Sequence, residues 1–132
     1  MSAMPVSKLI GDDVIRVAPD ADLFAVADAL TANDVGVLAV SDSTRIDAIV
    51  SERDVVHALA ARRAPETTRA IDIANTTLVW CDASASIGEV ASETMDHYVR
   101  HVLVESRGRL LGIVSARDLL GAYAATDSGT MV

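Results

Sequence analysis

Lysine and cysteine are nearly missing from this sequence of 132 residues, and each shortage excludes something. Lys8 is the only lysine, and 11 basic residues stand against 19 acidic ones, for a net charge of −8. Binding to a phosphodiester backbone draws on clustered lysine and arginine, so nucleic acid is not expected as a partner. Cys81 is the only cysteine, which rules out an internal disulfide. His57, His97 and His101 have no neighbouring cysteine or close carboxylate pair at metal-ligand spacing, so no metal site is expected. Uncharged stretches fall well short of the ~20 residues that a membrane span needs, and Met1 to Lys8 carries no secretory-type apolar run. The expected residence is the cytoplasm, away from the membrane. Catalysis is not expected either, because no Ser/His/acid set, glycine-rich phosphate loop or metal cluster is present. Cys81 lies in an apolar strand and reads as a buried, inert thiol.

What the sequence has is apolar residues, 51% against 23% charged, enough for one globular domain of ordinary size. It also repeats itself. Ile49-Val50-Ser51-Glu52-Arg53-Asp54 recurs as Ile113-Val114-Ser115-Ala116-Arg117-Asp118, an offset of 64 residues. At the same offset Val26-Ala27 falls on Val90-Ala91, Val40 on Val104 and Ala60-Ala61 on Ala124-Ala125. The chain is an internal duplication. Its parts are residues 6–62, a polar linker 63–69 with the helix breaker Pro65, residues 70–125, and a small, polar tail 126–132 expected to be mobile. A ~60-residue copy buries only ~60% of its unfolded surface, so the copies are expected to share a core.

Within a copy the apolar period switches between extended and helical. In the first, a strand at Val14 to Val17 leads through the cap-like Pro19-Asp20-Ala21-Asp22 to a helix with Leu23, Val26, Ala27 and Leu30 on one face. Strand Val37 to Val40, a hairpin loop Ser41-Asp42-Ser43-Thr44, strand Arg45 to Val50 and a helix from about Ser51 to Arg62 follow. The second copy repeats this order: strand 78–81, helix 86–97, strands 101–105 and 109–114 around the turn Arg107-Gly108, and a helix from about Ser115. Ser86 and Glu89 have capping-box spacing. The unit is β-α-β-β-α, twice.

A duplicated unit of this length, each copy ending in Gly/Ala-Ile-Val-Ser-x-Arg-Asp and two apolar residues, resembles a tandem pair of CBS domains, a Bateman module. The likeness covers nearly the whole chain. It implies an α/β fold in which two tandem CBS motifs pack with pseudo-twofold symmetry into one module. It also implies that adenosine-containing ligands, AMP, ADP or ATP among them, bind in clefts between the motifs. The module would regulate another protein in trans, with no obligatory cofactor, and would dimerise through its helices.

The residues offer their own case for a nucleotide. Ser51 and Ser115 stand where a strand gives way to a helix, whose first-turn N–H groups and dipole attract phosphate. Arg53 and Arg117 add a cation with fork geometry. Asp54 and Asp118 suit the vicinal diol of ribose, since one carboxylate accepts two hydroxyl protons. By the resemblance, this Ser-x-x-Asp pattern contacts phosphate and ribose, and Arg100 and His101 hold positions of phosphate-contacting basic residues. Trp80, in a strand that the resemblance places at the adenine end of the cleft, either stacks on the base or fills core space. The alternative for Ser-x-x-Asp is a capping box that needs no ligand.

The copies depart from the family pattern unequally. Ile10-Gly11 and Ala74-Asn75 replace the usual Met-Thr, Ala48 replaces a glycine that the second copy keeps as Gly112, and Gly36-Val37 stand at the positions of Arg100-His101. The site around Ser115 and Asp118 is therefore the expected phosphate binder. A module that has lost its ligand and serves as a dimeric interaction scaffold is the alternative. The wide apolar faces of the two final helices, Asp54 to Leu59 and Asp118 to Tyr123, point to a twofold homodimer in either case.

Overall fold

The computed structural model describes residues 4–11, 13–42, 45–97 and 99–131. The chain forms two compact units, Val14–Leu78 on the one hand and Met1–Asp13 with Val79–Val132 on the other. In the first unit, β1 (Arg16–Val17), α1 (Leu23–Ala32), β2 (Val37–Val40), β3 (Ala48–Ser51), α2 (Glu52–Ala60) and α3 (Ala70–Ile73) follow in order. The sheet runs β1-β2-β3, with β1 parallel and β3 antiparallel to β2. Asp22 caps α1 by accepting the Ala25 N–H at 2.8 Å, and Leu23, Val26 and Leu30 are its buried stripe. They join Leu38, Val40, Ala48, Val50, Val55 and Ala58 in one core. Ala39 and Ile49, on the other face of the sheet, are buried too, which is why β2 reads as a continuous apolar run rather than an alternating one.

The second unit repeats the pattern with β4 (Trp80–Asp82), α4 (Ile87–His97), β5 (His101–Ser106), β6 (Arg109–Ser115) and α5 (Ala116–Met131). The sheet order is β4-β5-β6. The α4 start carries the expected capping box: Glu89 N–H donates to Ser86 Oγ at 3.1 Å and Ser86 Oγ to the Glu89 carboxylate at 2.9 Å. Arg107 and Gly108 both have positive φ, 53° and 77°, the signature of a type I′ turn matched to the twist of a hairpin. Two expectations meet their limits here. Ser43 and Thr44 of the first hairpin loop lie outside the described residues. The backbone of α5 stays helical to Met131, past Ala125, where the sequence reading began a tail.

The compact units do not follow the repeat boundaries. Val6, 0% exposed and carried by a short 3-10 helix (Val6–Leu9), belongs to the core of the second unit with Ile87, Val90, Val102 and Leu119. Val6 N–H donates to the Ala85 carbonyl and Ile87 N–H to the Met4 carbonyl, both at 2.8 Å. Ile10 lies against Gly112, where an added Cβ would stand 2.6 Å from Ile10 Cγ2. The first unit is braced likewise by the chain that precedes β4. Leu23 N–H donates to the Pro65 carbonyl at 3.1 Å, Ala70 N–H to the Ala21 carbonyl at 2.7 Å, and Ile49 and Asn75 exchange two backbone bonds. Ala70 stands 64 residues after Val6 and is equally buried. Each copy of the repeat thus lends its first residues to the unit built by the other copy.

Candidate functional site

The two strand-to-helix junctions share one backbone frame. In the first unit Ser51 is paired with Val37 and Glu52 N–H donates to the Gly36 carbonyl at 3.0 Å. In the second, Ser115 is paired with His101 and Ala116 N–H donates to the Arg100 carbonyl at 2.6 Å. The antiparallel pairing therefore brings Arg100, His101, Ser115, Arg117 and Asp118 to one corner of the second unit. Asp118 N–H donates to Ser115 Oγ at 3.0 Å. With Ala116 N–H and Asp118 N–H engaged, the first turn of α5 keeps the Arg117 N–H without a partner among the described residues. The dipole argument for phosphate narrows to that group and to the side chains around it.

The two Ser-x-x-Asp sequences behave differently. Asp54 closes a capping box: its carboxylate accepts Ser51 N–H at 2.8 Å and Ser51 Oγ–H at 3.0 Å, and Asp54 N–H donates back to Ser51 Oγ at 3.3 Å. Ser51 is buried. The ligand-free reading of the motif describes this junction. The Asp118 carboxylate accepts no hydrogen bond among the described residues and is exposed. Arg100 and Arg117 are exposed and, among the described residues, unpaired. The backbone pairing thus puts two cations and one free carboxylate on residues within three positions of Ser115 or of its strand partner His101, a set able to hold an anion and a diol together.

Glu52 is the residue that sequence reasoning missed. A Cβ placed on Gly36 would sit 3.7 Å from the Glu52 Oε1, so this carboxylate lies beside the position that Arg100 takes in the other unit. The signal was visible in the repeat, where Ser-Glu-Arg-Asp stands against Ser-Ala-Arg-Asp. Arg53 is exposed on α2.

Trp80 is not brought to the Ser115 corner. It pairs with Leu103 on edge strand β4, and Leu103 pairs with Ile113, so two strand spacings, roughly 10 Å, separate it from β6. The indole, 36% exposed, lines a concavity of about 540 Å³ with Asp82, Glu89, Ser92 and Glu93. These acidic walls suit a base better than a phosphate. The Asp82 carboxyl is held below its ordinary range by hydrogen bonds from the Ser84 hydroxyl and N–H. Behind Trp80, the Cys81 thiol is buried and its pKa is pushed up to about 11, first by burial and then by the Glu93, Asp82 and Glu105 carboxylates. It is therefore a poor nucleophile. His57 is exposed on α2, and the side chain of His97 lies outside the described residues. Among the described residues no three His, Cys, Asp or Glu side chains converge as metal ligands, and no helix is long and apolar enough to cross a membrane.

Comparison with known proteins shows the family and the fold. The CBS domain family profile matches residues 6–61 and 70–125. Hypoxic response protein 1 of Mycobacterium tuberculosis is 36% identical over 99 residues, 74% of this chain and 69% of that protein. A solved structure of Hypoxic Response Protein I with two coordinated zinc ions superposes with a TM-score of 0.69 at 31% identity, over 90% of this chain and 98% of that one. A CBS domain protein of Pyrobaculum aerophilum, solved with AMP, superposes with a TM-score of 0.77 at 27% identity, over 92% of this chain and 99% of that one.

Proposed function

The chain belongs to the CBS domain family as a tandem pair, and from that premise we propose that it is a regulatory module that binds an adenosine nucleotide of the AMP, ADP or ATP class. It acts on another protein and catalyses no reaction itself. The observation that carries the reading is the uncommitted set at the second junction. Arg100 and Arg117 have no partner among the described residues, and neither does the Asp118 carboxylate beside Ser115. Phosphate takes the arginines, the Arg117 N–H and His101; the ribose diol takes Asp118. Ser51, Arg53 and Asp54 form the corresponding set in the first unit, with Asp54 already engaged by its own helix. The AMP complex of the similar Pyrobaculum aerophilum protein supports the ligand class.

A ligand that binds only the folded protein stabilises it by ~2.7 kcal/mol at 100 times its dissociation constant. AMP, ADP or ATP should raise the melting temperature by several degrees and GTP by less. A panel in which no adenosine compound at millimolar concentration moves the midpoint would sink the proposal, and turnover of ATP above blank would replace it with an enzyme. A second reading, a dimeric scaffold, draws on repeat-equivalent exposed residues: Val56 on α2 is 61% exposed and Leu120 on α5 is 37% exposed. Apolar positions matched across both copies fit a twofold interface with a second copy of the chain. Sedimentation equilibrium should give about twice 13.8 kDa at micromolar concentration, and a monomer there removes the dimer.

A further inference from the structure

We propose that Glu52 makes the first unit's helix start reject phosphate, so that a phosphate-bearing adenosine ligand binds once per chain, at the second unit. The inference rests on the nucleotide-binding reading and adds which half is used and which residue decides it. Both junctions have the same strand pairing and the same bond from the first helical N–H to the carbonyl before the partner strand. On that common frame the charges are reversed. The second unit puts Arg100 before β5 and the uncharged Ala116 at the first position of α5. The first unit has no side chain at Gly36 and puts the Glu52 carboxylate beside it. Anions are drawn to a helix start by its unpaired N–H groups and positive dipole end. At α2 that end is already answered by two carboxylates of its own first turn, Glu52 and Asp54, whereas α5 has Asp118 alone. A phosphate approaching the Arg53 N–H would meet a like charge, and Arg53 is the one cation that the motif supplies there.

Gly36 tolerates a side chain. Its backbone is not in the left-handed region, and the nearest atom to an added Cβ is the mobile end of Glu52. The charge pattern of the second unit can therefore be written into the first by Gly36→Arg with Glu52→Ala. Calorimetric titration of the full chain with AMP should give one site per chain for the native sequence and two for this double variant. Ala116→Glu, the reverse change, should weaken AMP at least about tenfold. Two native sites of similar affinity would overturn the proposal, as would a folded double variant that still binds one AMP. If the double variant fails to melt cooperatively, Glu52→Gln carries the test: a second, weaker site should emerge, and its absence counts against Glu52. No binding by the native chain would instead refute the nucleotide reading, and this inference with it.

Discussion

Replacing Asp54 and Asp118 separately by alanine should give opposite pairs of results, although the two residues occupy the same position of the same motif. Asp54→Ala removes the acceptor of the buried Ser51 N–H at 2.8 Å and of Ser51 Oγ–H at 3.0 Å. A lost cap costs about 0.5–2 kcal/mol, and leaving a buried donor unpaired puts the value in the upper part of that range. We expect about 1–2 kcal/mol of destabilisation, or roughly 4–8 °C in Tm. Asp118→Ala removes a carboxylate that holds nothing among the described residues except its place near the α5 dipole. Its cost should stay below about 0.5–1 kcal/mol. Affinity for AMP should move the other way: about 1.5–3 kcal/mol lost at Asp118, where hydrogen bonds to a charged acceptor disappear, and little change at Asp54. Urea unfolding measures the first quantity and titration calorimetry of the folded variants the second. Equal destabilisation by the two substitutions would refute the assignment of Asp54 to a cap and Asp118 to a free acceptor. Unchanged affinity in folded Asp118→Ala would remove its ribose role.

Three further outcomes follow from the packing and the charges. Gly112→Ala drives a Cβ into Ile10 Cγ2 at 2.6 Å, and a β-branched side chain has little room to turn aside, so about 1–3 kcal/mol should be lost; adding Ile10→Ala should recover part of it, and a double variant no more stable than Gly112→Ala would contradict the contact. With a pKa of about 11 against an ordinary ~8.5, Cys81 should react with a thiol reagent at pH 8 some two orders of magnitude slower than a free cysteine, and native labelling within tenfold of the free rate would refute its burial. Because the folded pKa lies above the unfolded one, the stability held by the protonated thiol is complete only below the unfolded value of ~8.5 and is lost as pH rises towards 11, a decline that Cys81→Ser should lack. If adenine stacks on Trp80, the single indole emission should change in step with site occupancy, whereas constant emission through saturation assigns Trp80 to packing.

The features legible in the sequence were those set by neighbours along the chain. The capping box at Ser86, the cap at Asp22 and the turn at Arg107-Gly108 each depend on residues within four positions, and each stands where its pattern put it. Duplication made the strand-to-helix junctions visible, and the pairing of His101 with Ser115 follows from the hairpin between them. What escaped depends on partners distant in the chain or on side-chain rotation. Ser-x-x-Asp is the same string in both copies, yet only Asp54 turns back to its serine. Val14 and Ile15 have the composition of a strand, but β1 is two residues long: Arg16 and Val17 are in register with Ala39 and Val40, while Ile15 contributes only its carbonyl, which accepts the Ala39 N–H at 2.9 Å. The 3-10 helix at Val6 and the short α3 at Ala70 carry too little periodicity to announce themselves, and their burial is decided by cores dozens of residues away.

The reciprocal loan of Val6 and Ala70 puts the period of the gene's duplication out of phase with the period of its folding. A fragment covering 14–78 carries its own brace as one continuous piece, whereas a fragment cut to 70–125 keeps the three strands and α4 of its unit, with α5 shortened, and still lacks the buried Val6 of its core. A substitution at Val6 or Ile10, read along the sequence, looks like a change at the edge of the first copy. Its cost falls on the second, on the strand that ends at Ser115. Selection on the two halves is thereby tied together through residues that neither half, taken as a repeat, would be thought to own.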